Sequence, residues 1–475
     1  MAANSKDDDA KPRFVTGSTM RHTIVMTGTA SIGLVAIFIV DFANLFYIAQ
    51  LGETELAAAI GYAGTLMFFI TSAAIGSTIG IVALVSRALG AGDLERARSI
   101  GGTGLVFITL VITTLSAICF IFLETFLRGL GAEGRTLEVA VGFLQIVIPS
   151  MPLLALGMAM SGLLRAVGDA KRAMYVTLGA GIAAAIMDPI FIFGFDLGVT
   201  GAAISTNLSR LFLLALGIHG AIVVHGLAIW PSHTSFRTHL VAITGIAIPA
   251  ILTNVATPVG NAIITRAIAP FGDDAVAGWA IVGRIIPVAF GAIFALSGAI
   301  GPILGQNYGA GQVDRVQRAF RDALTLIILY TVAVWGILFI AREPIVAMFD
   351  ATGDAASLVI LFCTWVAASF VFNGALFVAN ASFNNLGYAT YSTVFNWGKA
   401  TVGTLPFVWL GASWGGAAGV LIGQAIGSVV FGVAAAATAW VTMQRLEPPI
   451  DRDPDHPLPA RAEPAPFASG KAALN

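Results

Sequence analysis

Twelve long apolar segments follow one another along this chain of 475 residues, and they constrain the fold more than any other feature. Hydrophobic residues make up 57% of the sequence and charged residues 11%, whereas a soluble domain has about 45–50% and about 25%. Each segment is longer than the roughly 20 apolar residues that a helix needs to cross a bilayer. We therefore predict an all-α membrane protein with 12 transmembrane helices, at residues 22–50, 54–88, 95–128, 136–164, 169–194, 199–226, 239–270, 274–306, 316–347, 354–383, 389–411 and 414–444.

The breaks between these segments divide the chain into five parts. A polar segment precedes the first apolar run, a polar stretch separates the sixth run from the seventh, and the C-terminal tail is rich in proline and charge. Such a tail buries too little apolar surface to become ordered, so we predict disorder there. The predicted parts are an N-terminal cytoplasmic segment (1–21), an N-terminal six-helix bundle (22–226), a cytoplasmic linker (227–238), a C-terminal six-helix bundle (239–445) and a cytoplasmic tail (446–475).

The distribution of lysine and arginine predicts the orientation, because short cytoplasmic loops carry an excess of both. Most of these residues fall before the first segment, after each even-numbered segment up to the eighth, or in the tail. The opposite side receives Arg128, Arg135 and Arg342. We predict that both termini are cytoplasmic and that the chain is a multi-pass protein of the plasma (inner) membrane.

The two halves of the chain repeat each other. The segment 86–98 resembles the segment 305–319, and Gly90 aligns with Gly309 at an offset of 219 residues. Since each half has an even number of predicted helices, both enter the membrane in the same orientation. We predict parallel repeats related by an axis along the membrane normal. Two further matches keep the same order, 163–170 with 383–389 and 197–203 with 413–418.

Two aspartates lie inside apolar segments of the first half, Asp41 and Asp188. The second half has Asn261 and Leu405 at the aligned positions, so the shared architecture does not require either acid. Burial in a low dielectric disfavours the charged form of a carboxyl group, and a neighbouring carboxylate adds to this effect. We predict that both aspartates exchange protons or bind a cation. A purely structural carboxylate, hydrogen-bonded to a neighbouring helix, is the alternative.

Other polar residues within the segments are weaker candidates. Thr206 is predicted to belong to the coupling site, although small polar residues in spans more often pack helices together. The substrate-pocket candidates are Ser161, Asn207, Asn261 and Arg284.

Two further basic residues, Arg210 and Lys399, also fall inside apolar runs. For each of them, as for Arg284, snorkelling or pairing between helices is the alternative to a role in the pocket.

The motifs together resemble the multidrug and toxic compound extrusion (MATE) family. They are VDFANLFYIAQLGETELAAA, VALVSRALGAGDLERAR, LLRAVGDAKRAM, DPIFIFGFDLGVTGAAIST and, in the second half, GQNYGAGQVDRVQRA, and the resemblance covers about residues 20–445. It implies two six-helix bundles around a central cleft and export of organic, often cationic and aromatic, compounds in exchange for H⁺ or Na⁺. Asp41, Asp188 and Thr206 match positions used by the DinF-like branch of that family.

Two departures from the family pattern bear on the coupling ion and on the motion. Ala184 stands where relatives with a cation site often have an asparagine, which disfavours Na⁺ because Na⁺ needs several oxygen ligands. The first segment also lacks the early proline that bends this helix in relatives, whereas Pro249 occupies the corresponding part of the seventh segment.

The predicted function is a secondary antiporter that exports organic, cationic or amphipathic aromatic compounds in exchange for protons, with Na⁺ as the less favoured ion. The alternatives are a flippase for lipid-linked saccharides and a membrane scaffold or receptor. No enzymatic motif, metal site, cofactor or nucleic-acid partner is predicted, and Cys119 and Cys363 lie in apolar runs as small buried residues. The expected partners are small molecules, H⁺ or Na⁺ and the lipid bilayer, and we expect a monomer.

Overall fold

The structure is a computed structural model in which residues 12–49 and 54–447 are described. Within those ranges, the side chains of residues 41–46, 48–49, 54–55 and 57 are outside the description. The side chain of Asp41 belongs to this group, although its backbone is part of a helix. Nearly all of the predicted disordered tail also lies outside the described residues.

The described ranges contain fifteen α-helices and no β-strand. The first half comprises α1 (Thr19–Ala49), α2 (Thr54–Gly90), α3 (Leu94–Ile121), α4 (Leu123–Gly129), α5 (Gly134–Val147), α6 (Met151–Ala166), α7 (Ala170–Pro189) and α8 (Gly198–Gly217). The second half comprises α9 (His233–Ile268), α10 (Asp273–Gly309), α11 (Val313–Met348), α12 (Gly353–Thr364), α13 (Phe370–Leu386), α14 (Ala389–Ala400) and α15 (Leu405–Gln444). The helix-free link between the halves is shorter than the predicted 227–238, because α9 already begins at His233.

Several spans are built from two consecutive helices rather than one. A 3₁₀ turn (Ile148–Ser150) joins α5 to α6, and prolines at positions 149 and 152 remove the backbone donors that a continuous helix would need. Wider π-helical turns follow α7 (Ile190–Gly194) and α8 (Ile218–Val224). Such irregular turns within membrane spans often mark functional positions.

Eleven helical stretches of the described chain are long and apolar enough to cross a membrane. One of them, Ala389–Gln444, has 56 residues, which is far longer than a single crossing requires. Its backbone leaves helical geometry at Gly415 and Gly416. On either side of this point, Gly411 packs against Gly419 and Gly403 packs against Gly427, so the chain reverses there and its two arms run antiparallel.

One end of the helical bundle gathers most of the basic residues and the N-terminal segment. Arg13 and Phe14 lie against Gly168 there, and the backbone of Phe14 bonds to Gln306. We call this end the basic end. The loops at residues 91–93, 167–169 and 310–312 lie at it, and the opposite end carries the loops at 130–133, 195–197 and 349–352.

The halves pack on each other through α1 and α2 of the first and α9 and α10 of the second. The hydrophobic core of the first half includes Ile243 and Ala247, which α9 contributes from the second half. Gly76 and Gly80 of α2 face the backbone of α9 so closely that a Cβ atom would not fit without movement. These contacts run from the middle of the helices to the basic end.

Candidate functional site

Asp188 lies at the C-terminal end of α7, immediately before Pro189, and its side chain is only 1% exposed. Pro189 lacks a backbone N–H, and the helix widens into the π turn directly after it. The sequence therefore places a carboxyl group at a break in a membrane-spanning helix, where backbone groups are also released from helical bonding. Buried ionisable groups in spans are candidates for function by default.

Helices α1 and α8 flank α7 at this depth. Gly33 of α1 packs against Thr177, and Val40 packs against Gly181, so the helices α1 and α7 run parallel. This register puts the backbone of Asp41 within about one helical turn, roughly 5 Å, of the level of Asp188. The coupling role of the two acids stays a prediction, because the side chain of Asp41 lies outside the described residues.

Thr206 lies on α8, which runs antiparallel to α7. Gly201 packs against the backbone of Phe191, and this register brings Thr206 to about the depth of Asp188. The Thr206 side chain is half-buried, and its hydroxyl donates to the carbonyl of Ala202 at 2.9 Å. The fold therefore brings Thr206 close in depth to Asp188, and its role in coupling stays a prediction.

Asn207 forms part of a polar network with Arg210, which lies three residues further along α8. The Asn207 amide donates to the carbonyl of Ile146 at 2.8 Å, and its oxygen accepts from the Ser150 hydroxyl at 2.7 Å. Arg210 donates to Ser150 Oγ at 2.6 Å and to the carbonyl of Val147 at 2.9 Å. In a continuous helix the Val147 carbonyl would accept from the Met151 N–H. In the 3₁₀ turn that N–H donates to the carbonyl of Ile148 instead, so the Val147 carbonyl can accept from Arg210. The network joins α8 to the break between α5 and α6.

Ser161 lies away from this depth, close to the basic end. Its hydroxyl is buried between α6 and α7, donates to the carbonyl of Ala173 at 3.2 Å and accepts from Arg165 at 3.1 Å. In the described structure the side chain is engaged within the first half of the molecule.

The candidates of the second half, Asn261 and Arg284, are both exposed. Gly291 of α10 packs against Val35 and Phe38 of α1. Arg284 precedes Gly291 by seven residues, or about two turns, so it lies on a similar face of α10, nearer the opposite end. Asn261 lies on α9 next to Gly260, which packs against α14.

A polar cluster fills the interior of the second half between α13 and α14. The Lys399 ammonium donates to the side-chain oxygen of Asn373, and Asn396 donates to the side-chain oxygen of Asn380 at 3.0 Å. Asn373 also lines a small cavity of about 20 Å³ with Gln424 and Ser428. Lys399 is thus paired between helices, which is one of the alternatives that the sequence leaves open.

Reciprocal hydrogen bonds join the two halves at the basic end. Arg87 Nε donates to the carbonyl of Asn385 at 2.7 Å, and Gln306 Nε2 donates to the carbonyl of Ala166 at 2.6 Å. The two donors, Arg87 and Gln306, are 219 residues apart, and so are the two acceptors, Ala166 and Asn385. This is the offset that relates the repeats. The two bonds are therefore equivalents about the pseudo-two-fold axis.

Glycines allow this close approach of the two halves. A Cβ on Gly90 would lie 2.0 Å from the carbonyl oxygen of Gln306, and one on Gly309 would lie 2.0 Å from that of Arg87. Sequence reasoning used Gly90 and Gly309 to detect the repeat and missed that the repeated positions contact each other. The sequence carries no signal for these bonds, because their acceptors are backbone carbonyls, which every residue has.

The N-terminal segment closes the same end. Phe14 is 2% exposed, its backbone N–H donates to Gln306 Oε1 at 2.9 Å, and its carbonyl accepts from Arg315 at 2.7 Å. Its ring packs into the core of the second half and also lies near Gly168 of the first half. This segment therefore binds both halves together at the basic end. Sequence reasoning assigned it no role, since a polar terminus gives no signal of its docking site.

Among the described residues, no group of three or more histidine, cysteine or acidic side chains could hold a metal ion. Among the described side chains, the spans of the first half bury Asp188 and Arg210, and Lys399 is partly buried in the second half. A helical membrane protein made of two repeats, with charged groups buried within the spans and the halves sealed at one end, has the architecture of a transporter.

Comparison with known proteins identifies the family. The MatE family profile matches residues 29–190 and again 249–410, which together are more than half of the chain. The chain belongs to the MatE family of transporters, and the double match agrees with the internal repeat. The solved MATE transporter VcmN of Vibrio cholerae in its bent form has the same fold, with a TM-score of 0.85 at 23% identity, covering 90% of this chain and 97% of that one.

Two curated relatives differ in what their names say they transport. An FAD transporter of Shewanella oneidensis is 29% identical over 429 residues, which are 88% of this chain and 93% of that protein. The multidrug export protein MepA of Staphylococcus aureus is 24% identical over 376 residues, 76% of this chain and 81% of that protein. These relatives are transporters and not enzymes.

Proposed function

We propose that the chain crosses the plasma membrane twelve times, as two six-helix bundles with both termini in the cytoplasm. The reversal at Gly415 and Gly416 supports this number, because it divides the longest apolar stretch into two crossings. The excess of arginine and lysine at the basic end supports a cytoplasmic location for that end. Arg266, near the end of α9, joins the few basic residues of the opposite end. We further propose that the protein acts as a monomer.

We propose that the protein exports organic compounds in exchange for protons. The observation that carries this proposal is the buried carboxyl group of Asp188, at a helix break in the first half. The sequence of the second half has no acidic residue in α9, between 275 and 313 or between 355 and 446, and the acids of α11, Asp314, Asp322 and Glu343, lie toward the two ends of that helix. We therefore propose that ion coupling of this kind resides in the first half.

The proposed mechanism begins from the arrangement described here, in which the halves are sealed at the basic end. A proton that enters from the opposite side neutralises Asp188 and removes the cost of a buried charge. The helices α1, α7 and α8 repack around the neutral group, and the substrate is released. A proton moving across 100 mV supplies about 2.3 kcal/mol, which is enough to shift a conformational equilibrium nearly fifty-fold.

Within the family we assign the chain to the DinF-like branch and favour H⁺ over Na⁺. Asp188 and Thr206 lie close in depth, as this assignment requires. Ala184, one turn before Asp188, offers no side-chain oxygen, whereas Na⁺ requires several oxygen ligands. A proton requires only one base, which Asp188 supplies.

Vesicles that contain the purified protein test this proposal. We expect efflux of a fluorescent cationic dye to follow a pH gradient and to be unaffected by a Na⁺ gradient at constant pH. Asp188→Asn should abolish the pH-driven flux. Asp196→Asn is the matched control, because Asp196 is exposed, lies eight residues further on, and has a positive φ of 55° that asparagine also tolerates.

Three outcomes would contradict the proposal. Dye efflux driven by Na⁺ alone would show that Na⁺, and not H⁺, is the coupled ion. Full pH-driven efflux by Asp188→Asn would remove the role of that carboxyl group. Movement of a lipid-linked saccharide across the vesicle membrane, with no change in the dye gradient, would show that the protein is a flippase for such lipids.

A second candidate substrate is an anionic flavin dinucleotide. Its support is the FAD transporter, which matches more of this chain, at higher identity, than MepA does. The basic side chains of Arg210, Arg284 and Lys399 in the spans offer charges of the sign that a diphosphate needs. Of these, Arg284 is exposed and is the best placed to meet a substrate.

Competition distinguishes the two substrate classes. Vesicles that take up dye should be offered FAD, riboflavin and an organic cation at equal concentrations. Inhibition by FAD but not by riboflavin would show selection for the diphosphate. In that case Arg284→Gln should abolish the inhibition by FAD. Inhibition by the organic cation alone would support the multidrug assignment.

A further inference from the structure

A groove opens on the outer surface of the first half at the basic end. It lies between the first turns of α7 and the π turn Ile218–Val224, and its volume is about 390 Å³. Closer to the middle of the membrane, Gly179 packs so tightly against Leu216 that the two helices touch. The groove is therefore closed toward the membrane centre and open toward the basic end. Its lining residues are Asp169, Lys171, Arg172, Tyr175, Val176, Leu216, His219 and Gly220.

The single carboxylate of this groove is fully engaged. Asp169 caps α7 by accepting from the Arg172 backbone N–H, and it also accepts from Arg172 Nη1 at 2.5 Å and from His225 Nε2 at 2.9 Å. Burial alone would raise the pKa of Asp169, but these hydrogen bonds and the charge of Arg172 outweigh burial and hold the pKa well below its usual range. The carboxylate stays ionised, and its oxygens already accept hydrogen bonds from Arg172 and His225.

The remaining polar groups of the groove are donors. Lys171 is exposed and Arg172 is 46% exposed, so two cations face one engaged carboxylate and leave a net positive charge. His219 and Tyr175 are exposed beside them and can also donate to an anion. Lysine, arginine, histidine and tyrosine around one opening form a site for a phosphate group with a negative charge.

The walls and surroundings of the groove are apolar. Val176 and Leu216 line it, and an exposed hydrophobic face continues from it toward the membrane centre. On α7 this face consists of Tyr175, Ile182 and Ile186, which are spaced seven and four residues apart and so point the same way. A tyrosine at the start of such a face is typical of the interface between headgroups and acyl chains.

We propose that this groove binds the headgroup of an anionic phospholipid, with the acyl chains lying along the apolar face of α7. A phosphodiester with a net charge satisfies the donors, and the hydrocarbon covers the adjoining exposed surface. A free phosphate ion would use the donors alone and would gain nothing from the apolar face. Basic pockets between spans on the cytoplasmic side are known to hold acidic lipid headgroups.

Thermal unfolding of the full-length protein in neutral detergent tests the proposal. We expect short-chain phosphatidylglycerol to raise the melting temperature, and short-chain phosphatidylcholine and inorganic phosphate to have little effect. The double substitution Lys171→Gln and His219→Gln should weaken the apparent affinity for phosphatidylglycerol at least fivefold. Both side chains are exposed and no hydrogen bond is described for either, so the variant should fold normally.

Arg318→Gln is the matched control, because Arg318 is an exposed basic residue at the same end in the other half. It should respond to phosphatidylglycerol like the unsubstituted protein. Equal loss in the control and the double variant would mean that general charge attraction, and not the groove, binds the lipid. Stabilisation by inorganic phosphate as strong as that by phosphatidylglycerol would assign the groove to a free anion. Either result overturns the proposal.

Discussion

The two halves of the molecule share a framework and differ in what they bury. At the basic end they are close equivalents, since Arg87 bonds to the carbonyl of Asn385 as Gln306 bonds to that of Ala166. At mid-span the equivalence ends. The first half buries Asp188, and the aligned residue of the second half, Leu405, is 51% exposed.

The difference separates two requirements. Residues that hold the halves together must satisfy the same geometry on both sides of the pseudo-two-fold axis, so the repeat preserves them. Residues that bind an ion or a substrate need only one copy, and a second buried acid would cost free energy without serving the same function. The charged residues that lack an equivalent in the other half are therefore the better candidates for specific chemistry.

Moving the acid from one half to the other would be the strongest test of this difference. We expect Asp188→Asn to abolish pH-driven exchange, and the added substitution Leu405→Asp not to restore it. An aspartate at position 405 would be half-exposed, whereas Asp188 is buried. Vesicle flux under a pH gradient measures both effects, and recovery of exchange in the double variant would show that the halves are interchangeable for coupling.

Much of this architecture can be predicted from the sequence, because membrane spans and repeats leave long-range periodic signals. Runs of apolar residues define the helices, and the shared glycines reveal the duplication. The bend at Gly415 and Gly416 corresponds to a pair of glycines at the start of the last predicted segment, 414–444.

The contacts made by single side chains could not be predicted in this way. Nothing in the sequence indicates that Asn207 and Arg210 bond to the break between α5 and α6, because those partners lie about sixty residues away. The docking of Phe14 between the halves depends on Gln306, almost three hundred residues away. Such contacts depend on how the helices pack, and composition and periodicity do not encode that packing.

The glycines at the basic end offer a second test, with a smaller expected effect. In the double variant Gly90→Ala and Gly309→Ala, each new methyl group would overlap a carbonyl of the opposite half. Overpacking typically costs about 1–3 kcal/mol, so the sealed arrangement should become roughly five- to 150-fold less favoured. A cysteine introduced at Ser86, which is fully buried beside Gly305, should then react faster with a maleimide.

Gly245→Ala is the control for this test, since a Cβ at Gly245 in α9 would meet no atom within 4 Å. Alanine is also a better helix former than glycine, so this variant should be slightly more stable. Unchanged labelling at position 86 in the Gly90 and Gly309 variant would mean that these contacts do not hold the halves closed.

The smallest effect is expected from making the two halves more alike. Arg87→Gln gives the first half the residue that the second half has at the equivalent position, Gln306. Glutamine keeps one hydrogen bond to the carbonyl of Asn385 and loses the second bond, from Arg87 to Asn384 at 3.1 Å. We expect a loss of about 1 kcal/mol in the free energy of unfolding, whereas Arg87→Ala should lose about 2–3 kcal/mol because both charge-assisted bonds are removed. Equal losses would show that the guanidinium, and not the repeated hydrogen bond, stabilises the contact between the halves.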